Sequence, residues 1–350
     1  MLVTEPSAVA DANPVSPPAE PNLAWRNLIA PAEPFLQSVA NRLKEQVNAF
    51  EPDIATYAEY ALTNQGKQLR PALVALSAGA TGKVEDSHVL VAVIIEMIHL
   101  ATLVHDDVMD EASIRRGRPT LAANWGHEIS VLLGDCLFAH ALKLAAGFPT
   151  TEICRAVASA TNTVCSGEIL QTQRRKNFEL SRAEYFKVLQ MKTGELFALS
   201  CDMGAYLSGA GAVQRSALRQ YGLAVGTAYQ IFDDCLDLFG SEAATGKSLG
   251  TDLAKGKVTL PLLLALEQAA PAERVSLESY VRDWEPRFFE PLLQILRDRN
   301  TLEGSREVVH DYLTEARGTL KALPASACRD GLSGLTEYLA HQTDAIGSNA

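Results

Sequence analysis

The 350-residue chain lacks an excess of positive charge, since 31 Lys and Arg residues face 42 Asp and Glu residues and the formal net charge is −11. Affinity for nucleic acid rests mainly on basic side chains that neutralise phosphates, so we expect no nucleic-acid partner. Paired cysteine spacing is also missing, because the six cysteines are scattered without a CxxC. This indicates reduced core thiols in a cytoplasmic protein rather than disulfides or a zinc site.

An uncharged apolar run of about 18 residues is absent, so we predict no membrane span. The most apolar stretch, residues 89–104, contains Glu96 and His99. Residues 1–22 are rich in Pro, Ala and Glu and lack the basic start and apolar centre of a signal peptide. We predict a disordered tail over 1–22, followed by one domain over 23–346.

Alternating strand patterns are missing, whereas apolar residues recur at three- and four-residue spacing along most of the chain. Segments such as FLQSVANRLKEQV and LLGDCLFAHALKLAA are separated by breakers, for example SGAGA at 208–212. Hydrophobic residues make up 47% of the chain, which is enough for a large core. The sequence therefore predicts a single all-α domain, a helical bundle around a central cavity.

Two remote segments, LVHDDVMDEASIRRGRP at 103–119 and YQIFDDCLDLFG at 229–240, carry a DDxxD pattern directly after an apolar helical run. Residues i and i+4 of a helix share a face, so like charges at this spacing repel unless a cation lies between them. Oxygen-only clusters suit Mg²⁺, which takes carboxylates, waters and substrate phosphates. A solvated acidic helix end could account for one such pattern, but two favour a magnesium site. The predicted ligands are Asp106, Asp107, Asp110, Asp233, Asp234 and Asp237.

Basic residues accompany both aspartate motifs. Arginine forks match diphosphate oxygens, and lysine provides a mobile positive charge. Each is an ordinary surface charge when taken singly, but together they predict that two diphosphates bind beside the metal. The residues are Lys67, Arg70, Arg115, Arg116, Lys192, Lys247 and Lys257.

His99 lies seven residues before Asp106, two helical turns back on nearly the same face. A lone histidine on an apolar helix is usually a packed core residue. Its register with Asp106 instead favours a ligand role in the same pocket.

Several motifs in order resemble those of the trans-isoprenyl diphosphate synthases, also called polyprenyl synthetases. They are GKQLRP, EMIHLATLVHDDVMDEASIRRGRPT, GDCLFA, GEILQ, KTG, YQIFDDCLD and GKSLGTDLAKGKVTLPLL. The resemblance covers nearly all of the chain from about residue 30, with Gln65 departing from a second glycine that the family often has. It implies the isoprenoid synthase fold, usually a homodimer, and head-to-tail condensation of an allylic diphosphate with isopentenyl diphosphate.

The same resemblance implies roles by motif position. The six aspartates would hold Mg²⁺, as three ions with substrate bound, on the allylic diphosphate. That substrate would also contact Arg115, Lys192, Thr193, Gln230, Lys247 and Lys257. Isopentenyl diphosphate would contact Lys67, Arg70, His99 and Arg116, and Gln171 would line the reacting centre. The implied catalytic set is Asp106, Asp107, Asp110, Arg115, Lys192 and Asp233.

Product length should depend on the helix before Asp106, where Ala101 and Thr102 leave space and Ile98 lies deeper. One helical turn rises about 5.4 Å, on the order of one isoprene unit, so bulk here would stop growth early. Short-chain members of the family tend to carry aromatics at this place, so the resemblance implies a product of about C30–C50, a quinone side-chain precursor. Small residues could instead permit close helix packing. The open alternatives are a C15 or C20 synthase, a terpene cyclase, against which the second motif argues, and a non-catalytic subunit of a heteromeric synthase.

Overall fold

The computed structural model describes residues 25, 28–63, 66–241 and 248–347. The tail predicted for 1–22 and the predicted ligand Lys247 lie outside this part of the chain. Within it the protein is almost entirely helical, which confirms the all-α prediction. The α-helices are α1 Glu33–Gln46, α2 Ala55–Thr63, α3 Leu69–Thr81, α4 Asp86–Met109, α5 Leu121–Trp125, α6 His127–Ala146, α7 Thr151–Gln173, α8 Arg182–Leu189, α9 Glu195–Leu207, α10 Ala212–Phe239, α11 Thr251–Ala254, α12 Leu260–Gln268, α13 Pro271–Arg282, α14 Phe289–Asp298, α15 Thr301–Thr319 and α16 Ala327–Asp344.

Helix α4 is the central element of the bundle. Residues 91–98 are all buried, because a helix that is apolar on every side must be covered on every side. It packs against α1, α3, α6 and α9. Only its last turn, which carries the first aspartate motif, leaves the core, and the helix ends at Asp110 as C-cap.

Two helices, α4 and α6, are long and apolar enough to cross a membrane by length and composition alone. The core helix of a bundle passes the same test, and 72% of the apolar window of α4 is buried inside the protein. For α6 the buried share is 39%, so this helix exposes part of its apolar surface.

Helix α10 spans 28 residues and carries the second aspartate motif in its last two turns. It packs against α9 and α15. Its C-terminal half belongs to a second apolar cluster formed with α12 to α16, while its first half joins the cluster around α4. Both aspartate motifs therefore end long core helices, and the site lies where these two clusters meet.

Two short elements were not predicted from the sequence. Strands β1 Ile114–Arg115 and β2 Arg118–Pro119 form an antiparallel hairpin, which is too short to give an alternating pattern. Its two turn residues, Arg116 and Gly117, have φ values of 51° and 71°, the left-handed conformation that tight hairpin turns require. The segment Gln190–Gly194 forms a π-helical turn between α8 and α9.

All six cysteines are free, as expected. Only Cys201 and Cys235 are buried, whereas Cys136 and Cys165 are exposed. The prediction that the thiols lie in the core is therefore correct for Cys201 and Cys235.

Candidate active site

A cavity of about 2140 Å³ opens at the ends of α4 and α10. Asp106 and Asp110 line it from one helix, and Asp233, Asp234 and Asp237 line it from the other. Its volume exceeds the roughly 300–1,000 Å³ of common ligand pockets. The two aspartate motifs therefore converge on one space that is large enough for two substrates.

Most predicted substrate-binding residues line the same cavity. The structure places there Lys67, Arg70, His99, Arg115, Arg116, Gln171, Lys192, Thr193, Gln230 and Lys257. Their convergence follows from the fold, because they belong to elements far apart in the sequence. Asp107 differs from its neighbours in the motif, because it lies behind the cavity lining and only 5% of its surface is exposed.

Each carboxylate of the first motif faces a cation. Arg115 Nε donates to Asp107 Oδ1 at 2.7 Å, and Lys192 Nζ lies 3.7 Å from Asp106 Oδ2. Asp110 pairs with Lys255 at 2.8 Å and with Arg175 at 3.5 Å. The first motif is thus neutralised by the protein's own side chains.

Burial and neighbouring charges set the pKa values of these carboxyls. Burial raises the pKa of Asp106 against the opposing effect of Lys192, and it raises the pKa of Asp107 against Arg115. Burial also disfavours ionisation of Asp110, but Lys257 and Lys255 together hold its pKa below the usual value. Asp107 accordingly acts as the buried anchor of Arg115, and its role as a metal ligand stays a prediction.

The second motif contains two structural carboxylates. Asp234 is 4% exposed and accepts hydrogen bonds from Tyr185 Oη at 2.6 Å and from Gln230 Nε2 at 2.9 Å. Burial, together with the nearby charge of Asp252, raises the pKa of Asp234 to about 8. Asp233 is the partly exposed member of the three.

Asp237 is occupied by the backbone of α11. Its Oδ1 accepts from Thr251 N at 3.2 Å and from Thr251 Oγ1 at 2.6 Å, and its Oδ2 accepts from Asp252 N at 3.0 Å. These bonds satisfy amide groups at the start of α11 that have no partner inside that helix. Asp237 thus fixes the turn that bears the downstream lysines while it also lines the cavity, and its role as a metal ligand stays a prediction.

Five of the six motif aspartates line the cavity, and two of these, Asp234 and Asp237, are also held by the hydrogen bonds described above. Among the described residues, no three acidic, histidine or cysteine side chains are grouped closely enough to hold a metal ion alone. Mg²⁺ in proteins is typically bound by one or two carboxylates together with substrate phosphates. The all-oxygen donor set therefore fits Mg²⁺ that arrives with a diphosphate.

The π-helical turn presents Lys192 and Thr193 to the cavity. Lys192 Nζ donates to Gln171 Oε1 at 2.9 Å and forms an ion pair with Glu168, both on α7. Thr193 Oγ1 donates to Gln230 Oε1 at 2.7 Å, on α10. Single π-helical turns are frequent at functional sites because they redirect side chains within a continuous helix.

A glycine permits α7 to approach this turn. A Cβ on Gly167 would lie 2.9 Å from the backbone nitrogen of Lys192 and equally close to the Cβ of Met191. Real Cβ atoms do not approach other heavy atoms this closely, and the backbone of Lys192 could not move away without shifting the turn. The glycine in the GEILQ segment is therefore required by packing against the lysine-bearing turn.

The basic cluster of Lys67, Arg70, His99 and Arg116 surrounds a buried acid, Glu96, which is 3% exposed. Burial raises the pKa of Glu96, although Arg70 and Arg116 oppose this. Burial, with the same two arginines, holds the pKa of His99 well below its usual value, so its imidazole is neutral. The cluster keeps net positive charge and offers several donors, which suits a second diphosphate.

Apolar side chains of α4, α6 and α7 line one part of the cavity, which we call the apolar branch. Its lining includes Leu103, Val131, Phe138 and Val164. Of the three residues predicted to set product length, Thr102 lines this cavity. Ala101 and Ile98 are fully buried and lie outside the lining, so the structure places them in the helix packing instead.

Sequence reasoning missed several side chains of the site. Glu168 stands three residues before Gln171, one helical turn away, and this spacing could have indicated it. Tyr185 and Lys255 carried no such signal, because each reaches the site only through the folding of its loop or helix.

A helical bundle that brings two aspartate motifs and a set of cations to one cavity defines the isoprenoid synthase fold. The chain belongs to the polyprenyl synthetase family, whose model matches residues 51–287. It is accordingly an enzyme of the prenyltransferase class, as the resemblance implied.

Individual proteins agree with this assignment. The chain is 33% identical to the octaprenyl diphosphate synthase of Escherichia coli K12 over 301 residues, covering 86% of this chain and 93% of that protein. It is 35% identical to the heptaprenyl diphosphate synthase component 2 of Bacillus subtilis strain 168 over 302 residues, 86% of each chain. A polyprenyl synthase structure from Caulobacter crescentus, complexed with calcium and isoprenyl diphosphate, matches with a TM-score of 0.85 and 34% identity, covering 91% of this chain and 99% of that one.

Proposed function

We propose that the protein condenses isopentenyl diphosphate with an allylic diphosphate, releases diphosphate and makes an all-trans polyprenyl diphosphate. The observation that carries this proposal is the single cavity. Two aspartate motifs and two groups of cations face it, and an apolar branch leads away from them. A cavity with two diphosphate-binding regions suits two diphosphate substrates better than the single substrate of a terpene cyclase.

We infer that Asp106, Asp110 and Asp233 would hold Mg²⁺ together with the allylic diphosphate, as three ions when substrate is bound. The Caulobacter relative, whose structure is complexed with calcium and isoprenyl diphosphate, supports the use of a divalent ion. When bound, Mg²⁺ would neutralise charge that builds up on the leaving diphosphate.

The chain's own residues would perform the remaining work. Lys192, Lys257 and Arg115 would stabilise the departing diphosphate, since fixed charges aimed at developing charge need no reorganisation. The linked oxygens of Thr193 and Gln230 would stabilise the allylic cation, and the apolar walls would exclude water from it. The double bond of isopentenyl diphosphate would then form the new C–C bond, and the released diphosphate would accept the proton.

The proposed product is about C30–C50, because the cavity of about 2140 Å³ is large and one isoprene unit needs on the order of one helical turn, about 5.4 Å. Thr102, at the entrance of the branch, is small. The octaprenyl and heptaprenyl names of the relatives support a long product. A C15 or C20 product is the alternative.

We propose a cytoplasmic homodimer. Helix α6 exposes two neighbouring large apolar side chains, Val131 at 41% and Leu132 at 60%. Contiguous exposed apolar surface of this kind commonly marks a protein interface. The name of the Bacillus relative, a component 2, makes a heteromer the competing assembly.

The deciding experiment incubates the purified chain with Mg²⁺, labelled isopentenyl diphosphate and a short allylic primer, and resolves the products by chromatography. Products of about C30–C50 support the proposal, and C15 or C20 products support the short-chain alternative. Activity only after a partner subunit is added would indicate a heteromeric enzyme. Asp106→Asn, which removes a cavity-facing carboxylate, serves as the inactive control.

A further inference from the structure

Lys255 belongs to none of the residues predicted from the sequence, yet it lines the cavity. It is the C-cap of α11, and its Nζ lies 2.8 Å from Asp110 Oδ2. Both side chains are partly shielded, 25% exposed for Lys255 and 16% for Asp110. The neighbouring lysine, Lys257, pairs with a different acid, Asp252, at 2.9 Å.

The backbone that carries Lys255 is fixed on both sides. Asp237 caps the start of α11, as described above. After Lys255, the Gly256 carbonyl accepts from Lys176 N at 2.7 Å, and Lys257 N donates to Asp252 O at 2.9 Å. The side chain of Lys255 can therefore change its rotamer while its backbone stays fixed at the edge of the cavity.

Asp110 has a second cationic neighbour, Arg175, whose Nη2 lies 3.5 Å from Asp110 Oδ1. Arg175 reaches this carboxylate from the loop after α7. Among the described residues, Lys255 is part of the cavity lining and Arg175 is not. The two cations thus share one carboxylate, but only Lys255 also faces the space that a substrate would fill.

We propose that Lys255 is a further diphosphate-binding residue, held by Asp110 in the ligand-free chain and transferred to the allylic diphosphate when a divalent ion takes that carboxylate. This inference rests on the proposed function. An oxygen that shares an octahedral Mg²⁺ with Asp110 lies about 3 Å from the Asp110 oxygen, because Mg–O distances are about 2.1 Å. The ammonium group, already in contact with Asp110, needs only a small side-chain movement to reach such an oxygen.

The test is calorimetric titration of inorganic diphosphate into the full chain at saturating Mg²⁺. Lys255→Gln should weaken diphosphate binding about tenfold, the loss expected for one hydrogen bond to a charged group. Lys255→Arg keeps the cation and should restore most of the affinity. Arg175→Gln removes a cation from the same carboxylate and should leave diphosphate affinity nearly unchanged, as should Lys321→Gln on the exposed surface.

A second titration uses Mn²⁺ alone, followed by electron paramagnetic resonance. Lys255→Gln and Arg175→Gln should each bind Mn²⁺ at least as tightly as the natural chain, because a competing cation is gone. Unchanged diphosphate affinity in Lys255→Gln, or an equal loss in Arg175→Gln, would overturn the inference. If the natural chain still makes polyprenyl diphosphate in that case, only the role of Lys255 is refuted and the proposed function stands.

Discussion

Asp237 illustrates how identical residues of one motif acquire different roles. Its spacing from Asp233 is the same as that of Asp110 from Asp106, so the sequence treats the two as equivalent. In the fold, Asp237 accepts two backbone amides and a hydroxyl from the start of α11. A carboxylate that accepts these donors acts as a helix cap, so we expect Asp237 to contribute to stability.

Asp237→Ala should therefore destabilise the chain in the absence of metal. We expect a loss of about 1–3 kcal/mol in the free energy of unfolding, because a buried cap and its partners are left unsatisfied. Urea denaturation in EDTA measures this, with Asp233→Ala as the control expected to lose less. Equal stability of Asp237→Ala and the natural chain would contradict the capping role.

Gly167→Ala tests the close approach of α7 to the π-helical turn. The new methyl group would collide with the backbone of Lys192, so the turn must shift and the lysine must leave its position beside Asp106. A misplacement of about 1 Å at a reacting centre can cost a hundredfold in rate, so steady-state kinetics should show at least a tenfold fall in kcat. An unchanged kcat in Gly167→Ala would contradict the proposed packing role of this glycine.

Gly318→Ala is the matched control for this variant. It lies within α15, and a Cβ there meets nothing within 4 Å. Alanine in an open helix position should be neutral or stabilising by up to about 1 kcal/mol, with normal activity.

At the scale of elements, α4 and α10 could be predicted and the connections between elements could not. Both helices have apolar periodicity over many turns, and each motif stands at a helix end as expected. The π-helical turn and the β-hairpin are short, so neither leaves a periodic signal, yet they present Lys192, Thr193 and Arg115. Short elements depend on tertiary contacts more than on their own sequence.

Substitutions at two residues that line the apolar branch are expected to change product length in opposite directions. Thr102→Phe should fill the entrance and shorten the product. Phe138→Ala removes the aromatic ring that packs on His105 with centroids 5.7 Å apart, and it should lengthen the product by about one or two isoprene units at about 5.4 Å a turn. Chromatography of the polyprenyl products measures both.

Ala101→Phe is the comparison for these variants, because Ala101 lies outside the cavity lining. Overpacking a filled core typically costs about 1–3 kcal/mol, so this variant should lose stability while its product length stays unchanged. A shortened product from Ala101→Phe with unchanged products from Thr102→Phe would reverse the assignment.

At the scale of the whole molecule, helix α6 leaves part of its apolar surface exposed. Its 39% buried share contrasts with the 72% of α4, although the two helices pack side by side. A second copy of the chain would cover this face, which also lies next to the apolar branch through Val131.

The pair Val131→Lys and Leu132→Lys should convert the proposed homodimer into a monomer, because two ammonium groups would have to be buried without partners. Light scattering coupled to size-exclusion chromatography gives the mass. Val275→Lys, at an exposed valine on α13 with 65% exposure, should leave the assembly unchanged. A doubly substituted chain that still runs as a dimer would place the interface elsewhere.

The amino-acid sequence alone determined the helical class, the two aspartate motifs and most of the basic residues, because periodicity and spacing are local properties written in consecutive residues. Only the tertiary structure decided which carboxylates are held by side chains or backbone from other elements, as with Asp107, Asp234 and Asp237. It alone placed Lys255 on Asp110 and left Ala101 outside the cavity. The physical reason is that hydrogen-bond partners, burial and charge neighbours come from other elements, and folding sets their positions.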